Sequence, residues 1–444
     1  MNDFREVQLQ DIAEVLVSNV DKKSYSGQQT VRLCNYMDVY SNDYISSNLN
    51  FMESTASDAE IKKFSLRKGD VIITKDSESP FDIGIPTVVI EDIEHLVCGY
   101  HLAIIRPVTD KVDPLYLAKQ LSSEKSVKYF ARVAAGSTRF GLSVGSILTL
   151  PIHVMPLDIQ RKIGKIGLTI DNQIDSTQAL INKYTAIKQG MMADLFSRGI
   201  DPETKALRPT FEEAPELYYQ TPLGMLPKGW FSLSMAGVSA EGKGSTVIGP
   251  FGSDLVAADY ATEGVPIVFV RDVKENNFYW KSNTYVSHVK AKALAAHSAE
   301  PGDVIVTKMG LPPCIAAVYP DTMPNGVITA DIIRLRPNDE LVFSEWIAIA
   351  INSNEMRKQV EAITAGVTRP KVTLKDFRQL VGRFPPKKEQ KLILDRLEPI
   401  QSLIESEEAV VIKLQRQKIG LMQDLLTGKV AIPTKTNHKK NMAA

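Results

Sequence analysis

The stretch Ala135-Gly-Ser-Thr-Arg139 recurs in this chain as Ala365-Gly-Val-Thr-Arg369, and the sequence after each copy continues to match. A single offset of 230 residues aligns the two copies without a gap through residues 156–198 and 386–428. The aligned identities include Pro156 with Pro386, Gln160 with Gln390, Ile163 with Ile393, Lys183 with Lys413 and Asp194 with Asp424. A register kept over so long a stretch predicts two units of one architecture joined head to tail, a pseudo-twofold object.

The repeat extends upstream at a slightly different offset. Residues 68–75 correspond to residues 301–308 at an offset of 233, while most of the sequence between the matching segments has diverged. Each copy is therefore predicted to contain a variable globular domain and a closely repeated helix. We expect the variable domains to be the parts in which the two copies bind different ligands.

Composition favours an ordinary globular protein of two or three domains, with 444 residues of which 44% are hydrophobic and 23% charged. The three cysteines, Cys34, Cys98 and Cys314, form no C-x-x-C pair, so they support neither a disulfide framework nor a thiolate zinc site. The start of the chain has no signal peptide, and no apolar run is long enough to span a bilayer. We expect a cytoplasmic protein without a membrane partner.

The formal net charge is zero, which is unusual for a nucleic-acid-binding protein. It lowers the expectation of DNA binding without excluding it, because charge can be segregated to one face.

Alternation of short apolar runs with turn residues predicts that each variable domain is α+β. We expect one helix over residues 114–131 in the first domain and one over residues 344–363 in the second. The predicted strands are residues 31–33, 71–73, 86–90 and 103–105, and then 230–235, 266–270, 304–307, 315–318 and 331–335.

The repeated segments have apolar residues every three or four positions, which predicts two long amphipathic helices. About 40 residues would make a rod of roughly 60 Å. Because one apolar stripe on so long a helix needs a partner, the two are expected to pack together as an antiparallel coiled coil. Pro399 is expected to kink or restart the second helix. The alternative is that these helices serve in packing alone.

The sequence thus divides into six predicted segments. They are a first variable domain at 1–155, a central spacer helix at 156–198, a proline- and charge-rich linker at 199–227, a second variable domain at 228–385, a C-terminal spacer helix at 386–428 and a disordered tail at 429–444.

Several patterns approach catalytic motifs without completing them. Residues 237–244 resemble a Walker A loop but end in Gly244, which lacks the hydroxyl that ligates magnesium. Residues 311–314, Leu-Pro-Pro-Cys, resemble the turn of adenine methyltransferases but lack its polar and aromatic residues. Asp70 and Asp303 lack the second carboxylate of a nuclease core, and the six histidines show no ligand spacing. The sequence therefore predicts no catalytic or metal site.

The order Gly-x-Thr-Arg, a proline followed by glutamine, a long helix and Leu-Leu-Thr-Gly-Lys resembles the specificity (S) subunit of Type I restriction-modification systems. These motifs stand at residues 366–369, 386–390 and 425–429, and the resemblance covers nearly the whole chain. The first copy departs mildly, with Ile159 where the pattern prefers glutamate and Phe-Ser-Arg-Gly at its end.

The resemblance implies two target recognition domains, each reading one half of a split, asymmetric double-stranded DNA sequence. The half-sites would lie about one helical turn apart, roughly 10 bp. The spacer helices would dock modification (methyltransferase) subunits, expected to be two, and restriction subunits would join the complex. This chain would bind no cofactor, and S-adenosylmethionine, ATP and magnesium would belong to the partner subunits.

Candidate DNA-contacting residues fall into two classes. Thr138, Arg139, Thr368 and Arg369 lie in the repeated turn, where they could contact phosphate or instead tie the turn to the helix. Residues in divergent loops are candidates for reading bases, because half-sites of different sequence need different side chains. They are Lys22, Lys23, Arg32, Asn35 and Lys75 in the first unit, and Lys243, Ser245, Thr246, Ser253, Arg271 and Lys308 in the second.

Two other functions remain open at this stage. The chain could be a coiled-coil adaptor that does not bind DNA, which zero net charge mildly favours. It could also be a DNA adenine methyltransferase, although the absence of a glycine-rich cofactor loop argues against this.

Overall fold

The computed structural model describes residues 5–364, 370–430 and 432. These residues form two compact units, one composed of residues up to Ile181 and from Ser406, the other of Asn182–Glu405. Each unit combines an α+β domain with one segment from each of two long helices. The predicted α+β fold class is confirmed.

The first domain contains short strands and helices ahead of the first long helix. Its strands are Arg5–Gln8, Ala13–Val17, Gln29–Cys34, Tyr44–Ile45, Met52–Ala56, Val71–Thr74, Asp76–Ser77, Pro86–Val89, Leu96–Cys98, Leu102–Pro107, Phe140–Gly141 and Pro151–Val154. Its helices are Tyr36–Tyr40, Asp58–Phe64, Pro114–Leu121, Glu124–Val133 and Val144–Leu148.

A five-stranded sheet forms the centre of the first domain. Its strand order is Ala13–Val17, Leu102–Pro107, Val71–Thr74, Pro86–Val89, Tyr44–Ile45. The central strand is buried on both faces, and its side chains alternate between two apolar clusters. Val71 and Ile73 pack in one cluster and Ile72 packs in the other, as the twofold period of a strand requires.

The second domain follows the same plan. Its strands are Tyr218–Thr221, Gly224–Pro227, Phe231–Ser234, Thr246–Ile248, Tyr260–Ala261, Val265–Val268, Val273–Lys274, Asn277–Phe278, Tyr285–Val286, Ser298–Ala299, Val304–Thr307, Ala316–Val318, Gly326–Ile328, Ile332–Leu335 and Val381–Phe384. Its helices are His288–Ala293, Ser344–Ile351, Asn354–Ile363 and Leu374–Gln379.

The central sheet of the second domain repeats the strand order of the first. Thr246–Ile248, Ile332–Leu335, Val304–Thr307 and Ala316–Val318 are neighbours in that order. The pairing register is also repeated, since Ile72 opposes Ile104 in one sheet, and Ile305 and Arg334, at offsets of 233 and 230 residues, oppose each other in the other. The duplication therefore includes the divergent domains.

The helices predicted over residues 114–131 and 344–363 are each interrupted, so both predictions were wrong in the same way. In each unit a serine begins a new helix, and its hydroxyl accepts a hydrogen bond from a backbone N–H of the first turn. Ser123 accepts from Ser126, and Ser353 accepts from Met356. This capping is a local preference of serine that apolar periodicity does not reveal.

The two long helices are Leu157–Ser197 and Lys387–Leu426. In the first unit their segments run antiparallel, because Gly167 lies beside Met422 while Asp171, further along the first helix, pairs with Lys418, further back on the second. Pro399 was expected to kink or restart the second long helix, and the helix neither stops nor restarts there. Pro399 is exposed, so water can satisfy the carbonyl that its missing N–H leaves unpaired.

A buried glutamine at the start of each long helix joins it to its domain. Gln160 accepts from the backbone N–H of Asp113 at 2.9 Å and donates to the carbonyls of Lys111 and Met155 at 3.2 and 2.7 Å. In the second unit, Gln390 accepts from Phe343 at 2.9 Å and donates to Leu341 and Pro385 at 3.0 and 2.8 Å. The glutamine of the repeated motif therefore has a structural role.

The segment predicted as a linker, residues 199–227, contains the hairpin Tyr218–Thr221 and Gly224–Pro227. Of the tail predicted to be disordered, residues 429–444, all but Lys429, Val430 and Ile432 lie outside the described residues. No helix in the described ranges is both long and apolar enough to cross a membrane.

Candidate nucleic-acid interface

A β-hairpin closed by a threonine is repeated in the two units. In the first unit, Thr74 ends the strand Val71–Thr74. Its carbonyl accepts from the N–H of Gly84 at 2.9 Å and its hydroxyl accepts from the N–H of Ile85 at 3.0 Å. In the second unit, Thr307 accepts in the same way from Cys314 at 2.7 Å and from Ile315 at 2.9 Å. The loops between these residues, 75–83 and 308–313, are called the first and second hairpin loops below.

Gly84 and Cys314 both adopt the left-handed backbone conformation, with φ of 78° and 58°. At position 84 a Cβ would lie 2.4 Å from the ring of Phe130, so only glycine fits there. The hairpin loops thus end in the same backbone geometry although their sequences differ.

The repeated Gly-x-Thr-Arg turn lies directly beside the hairpin loop. Gly136 has φ of 142°, and a Cβ on it would come within 1.9 Å of the carbonyl oxygen of Arg139, so the turn requires glycine. The strand that follows, Phe140–Gly141, pairs with Asp76–Ser77 of the first hairpin loop. Thr138 and Arg139 are both exposed.

In the second unit, Thr368 and Arg369 lie outside the described residues. The residues that follow them return to the second hairpin loop, where Met309 forms a bridge with Lys371. The N–H of Val372 donates to the carbonyl of Lys308 at 3.0 Å, as the N–H of Leu142 donates to Lys75 at 2.9 Å.

The first hairpin loop borders a cleft of about 350 Å³, called the first cleft, that also contains Arg139. Its lining is polar and acidic, with Tyr36, Tyr40, Asp76, Ser77, Glu78, Asp82 and His101 beside Met37. Asp76 is held between Lys75 at 2.9 Å and the His101 ring at 2.7 Å. Tyr40 donates its hydroxyl proton to Asp82 at 3.0 Å, which raises the pKa of Tyr40.

The second hairpin loop borders a larger cleft of about 750 Å³, called the second cleft. Its lining includes Tyr260, Phe269, Arg271 and Leu311. The Arg271 guanidinium lies 4.4 Å from the Phe269 ring centre and donates to Ser282 at 2.8 Å. The two clefts therefore occupy equivalent places but differ in lining, with three acidic side chains, His101 and Arg139 in the first and Arg271 beside aromatic rings, Glu275 and Asp331 in the second.

The remaining candidate residues are scattered. Lys22, Lys23, Arg32, Lys243 and Ser253 are exposed, whereas Lys308 is half-buried with its ammonium 4.9 Å from the ring centre of Phe251.

Three polar candidates have local structural partners. Thr246 is 2% exposed and its hydroxyl lies 3.0 Å from that of Ser239, so this side chain belongs to the interior of the unit. Ser245 donates to the carbonyl of Gly242 at 3.3 Å. Asn35 begins the helix Tyr36–Tyr40 and its side-chain amide donates to the carbonyl of Leu33 at 3.4 Å.

The patterns that approach catalytic motifs have structural explanations. Asp70 forms a bidentate ion pair with Arg106, at 2.8 and 2.7 Å, and Asp303 forms the same pair with Arg336, at 3.0 Å for both bonds. The loop that resembles Walker A is fixed by the buried Arg334, which donates to the carbonyl of Gly244 at 2.8 Å. No cluster of potential metal ligands occurs among the described residues.

A buried charged cluster joins the first domain to both long helices. Asp171 accepts from Lys119 at 2.7 Å and from the hydroxyl of Tyr44 at 2.5 Å, and it forms an ion pair with Lys418 at 2.6 Å. Burial opposes ionisation of Asp171, but these hydrogen bonds outweigh it and lower its pKa. Sequence reasoning missed this cluster, because its members are far apart in the chain and carry no motif.

Comparison with known proteins gives consistent results. A family model described as the Type I restriction modification DNA specificity domain matches residues 1–186 and 298–416. The chain is 23% identical, over 441 residues, to a putative Type I restriction enzyme MjaX specificity subunit of Methanocaldococcus jannaschii, covering 97% of this chain and 95% of that protein. The MjaVIII specificity subunit of the same organism is 20% identical over 326 residues, which are 72% of this chain and 71% of that protein.

A solved structure has a similar fold. The crystal structure of the S subunit of a Type I restriction-modification system from M. genitalium matches with a TM-score of 0.58 at 12% sequence identity. The match covers 98% of this chain and 97% of that chain.

Proposed function

Since this chain belongs to the family of Type I restriction-modification DNA specificity subunits, we propose that each unit reads one half of a bipartite, asymmetric DNA sequence. The chain itself performs no chemistry. Methyl transfer with S-adenosylmethionine and ATP-driven cleavage with magnesium belong to modification and restriction subunits bound to it.

The single observation that carries this proposal is the repetition of one scaffold around two different clefts. Thr74 and Thr307 close the same hairpin, and Lys75 and Lys308 follow at equivalent positions. The linings differ, with three acidic side chains, His101 and Arg139 in the first cleft and Arg271, aromatic rings, Glu275 and Asp331 in the second. Carboxylates accept hydrogen bonds from the cytosine amino group, arginine binds guanine and apolar groups contact the thymine methyl. Two such clefts suit half-sites of different sequence.

The long helices are the proposed docking surface for two modification subunits. In the first unit they expose four large apolar side chains, Leu180, Val410, Ile412 and Ile419, at 38%, 40%, 50% and 69%. Side chains of this kind on a helix pair are typical of a surface that a further helix covers.

Docking is tested with Ile419→Glu, which places a charge on the most exposed of these positions. We expect the variant to fold and to lose the modification subunits in a co-purification. The control Gln417→Glu adds the same charge at a neighbouring exposed polar position and should retain them. Full retention by Ile419→Glu would exclude this part of the surface as the docking site.

The decisive experiment on DNA recognition is to co-express the chain with its modification subunits and map methylated adenines across a genome. We expect one bipartite motif, methylated on both strands, that disappears when this chain is omitted. A stable complex that binds no DNA would instead support the adaptor function, and methyl transfer by the isolated chain would show that it is an enzyme.

A further inference from the structure

Two apolar side chains at the tips of the hairpin loops are almost fully in water. Leu311 is 83% exposed and Phe81 is 78% exposed; among the large apolar residues that the structure describes, only Val289, at 82%, is comparable. Full burial of such a side chain would contribute about 1.5–3 kcal/mol, so neither residue stabilises its own unit where it stands.

The two positions match when counted back from the end of each loop. Phe81 and Leu311 each lie three residues before the left-handed residue that ends the hairpin loop, although the first loop is three residues longer than the second. The closing hydrogen bonds from Thr74 and Thr307 hold the base of each loop in the same geometry. An exposed apolar tip that occurs twice, in loops whose other residues differ, indicates a task common to both units.

Each loop begins with a lysine, and the first loop also carries Asp76, Glu78 and Asp82. Lys75 begins the first loop, whose residues Asp76–Ser77 pair with the strand directly after Arg139. Lys308 begins the second loop, and Leu311 itself lines the second cleft together with Arg271. The exposed arginines of the two clefts, Arg139 and Arg271, suit the phosphates that flank a base step.

We propose that Phe81 and Leu311 are wedges that insert between neighbouring base pairs, one in each half-site, and unstack that step. The inference rests on the proposed function. Phenylalanine and leucine are among the side chains that proteins insert between base steps, and burial of the side chain offsets part of the cost of unstacking.

A contact with the thymine methyl is the competing role for an apolar tip. It would require thymine at the same place in two half-sites of different sequence. Unstacking needs no particular base, and it is useful in both half-sites because a base must leave the helical stack before it can be methylated. The repetition of the apolar tip at equivalent positions therefore favours the wedge.

The test uses the complete complex of this chain with its modification subunits and DNA in which 2-aminopurine replaces single adenines along each half-site. Its fluorescence rises when a neighbouring step is unstacked. For the wild-type complex we expect a rise at one step in each half-site. Phe81→Ala should abolish the rise in one half-site and Leu311→Ala in the other, each with roughly tenfold weaker binding.

Three control variants sharpen the result. Phe81→Leu and Leu311→Phe exchange the two wedges and should retain unstacking, whereas Val289→Ala removes an equally exposed side chain from the helix His288–Ala293 and should change nothing.

Four results would overturn the inference. One is an unchanged fluorescence rise in both alanine variants. A second is that replacing thymine by uracil in the DNA weakens binding as much as the alanine variants do, which would assign a contact with the thymine methyl. A third is loss of the modification subunits, which would assign a protein contact. Failure of the wild-type complex to bind the bipartite DNA would overturn the proposed function as well, whereas the first three results leave it standing.

Discussion

Asp171 is a buried carboxylate that three side chains hold in place. Lys119 and Tyr44 come from the first domain and Lys418 from the second long helix. One turn further along the same helix Asp175 is exposed, but partial desolvation of its carboxyl group and the nearby Asp171 raise its pKa. The pKa values of these two carboxylates of one helix are thus shifted in opposite directions, and their surroundings determine the direction.

Asp171→Asn should lower the free energy of unfolding of the first unit by about 3 kcal/mol at neutral pH, because Lys119 and Lys418 lose their buried partner. The lowered pKa of Asp171 means that its stabilisation is present above 3.8, the ordinary value, and is lost as the pH falls through the lowered pKa. Denaturation at several pH values measures this. Asp175→Asn is the control and should cause no loss, since it removes a repulsion.

Arg271 is the residue we expect to read a base in the second cleft. Arg271→Ala in the assembled complex should relax the methylated motif at one position of one half-site, a loss of about 1–3 kcal/mol of discrimination. Lys292→Ala, which removes an exposed cation of the same unit away from the second cleft, should leave the motif unchanged. Equal weakening on all sequences would instead make Arg271 a phosphate contact.

At the scale of elements, the start of the second long helix fixes the segment that precedes the second domain. Glu389 is 0% exposed, forms a bidentate pair with Arg208 and accepts from the N–H of Ile200 at 2.9 Å. Gly199 is required beside it, because a Cβ there would lie 2.2 Å from the Glu389 carboxylate. In the first unit Ile159 occupies this position in an apolar cluster, which explains the departure of the first copy from the family pattern.

Glu389→Ala should release residues 200–217 from the helix, because it leaves Arg208 without its partner, at a cost of about 3 to 5 kcal/mol. Limited proteolysis should then cut this segment faster than in the wild type. Glu203→Ala removes the exposed ion pair with Lys388 in the same region and should not alter the cleavage rate. Unchanged cleavage of Glu389→Ala would mean that the hairpin Tyr218–Thr221 and Gly224–Pro227 holds the segment by itself.

At the scale of the whole molecule, many contacts occur twice. The pairs Asp70–Arg106 and Asp303–Arg336 are equivalent, as are the glutamine contacts at positions 160 and 390. The helix contact between Asp171 and Lys418 has its counterpart in Gln401 and Lys188, where an amide replaces the carboxylate and burial lowers the pKa of Lys188. The two units therefore share these contacts, although some of the charged side chains in one unit are replaced by neutral ones in the other.

Because the contacts of each glutamine lie within its own unit, Gln160→Met and Gln390→Met should each destabilise the unit that carries the substitution. Each leaves one N–H and two carbonyls unpaired, at a cost of about 2 kcal/mol or more. Hydrogen exchange should show faster exchange in that unit. Gln173→Met, at an exposed position of the first long helix, should have no effect. Equal loss of protection in both units after either substitution would contradict this local role.

The sequence by itself determined the duplication, the α+β class, the two long helices and the family, because these depend on periodicity and on motifs that remain aligned along the chain. It also indicated Arg139, Lys75, Arg271 and Lys308, which lie in or next to the two clefts. It did not reveal that Thr246 is buried, that Ser123 and Ser353 interrupt predicted helices, or that Asp171, Glu389 and the tips Phe81 and Leu311 are notable positions. Burial and pairing depend on residues that are distant in sequence, such as Asp171 and Lys418, so only the tertiary structure decided them.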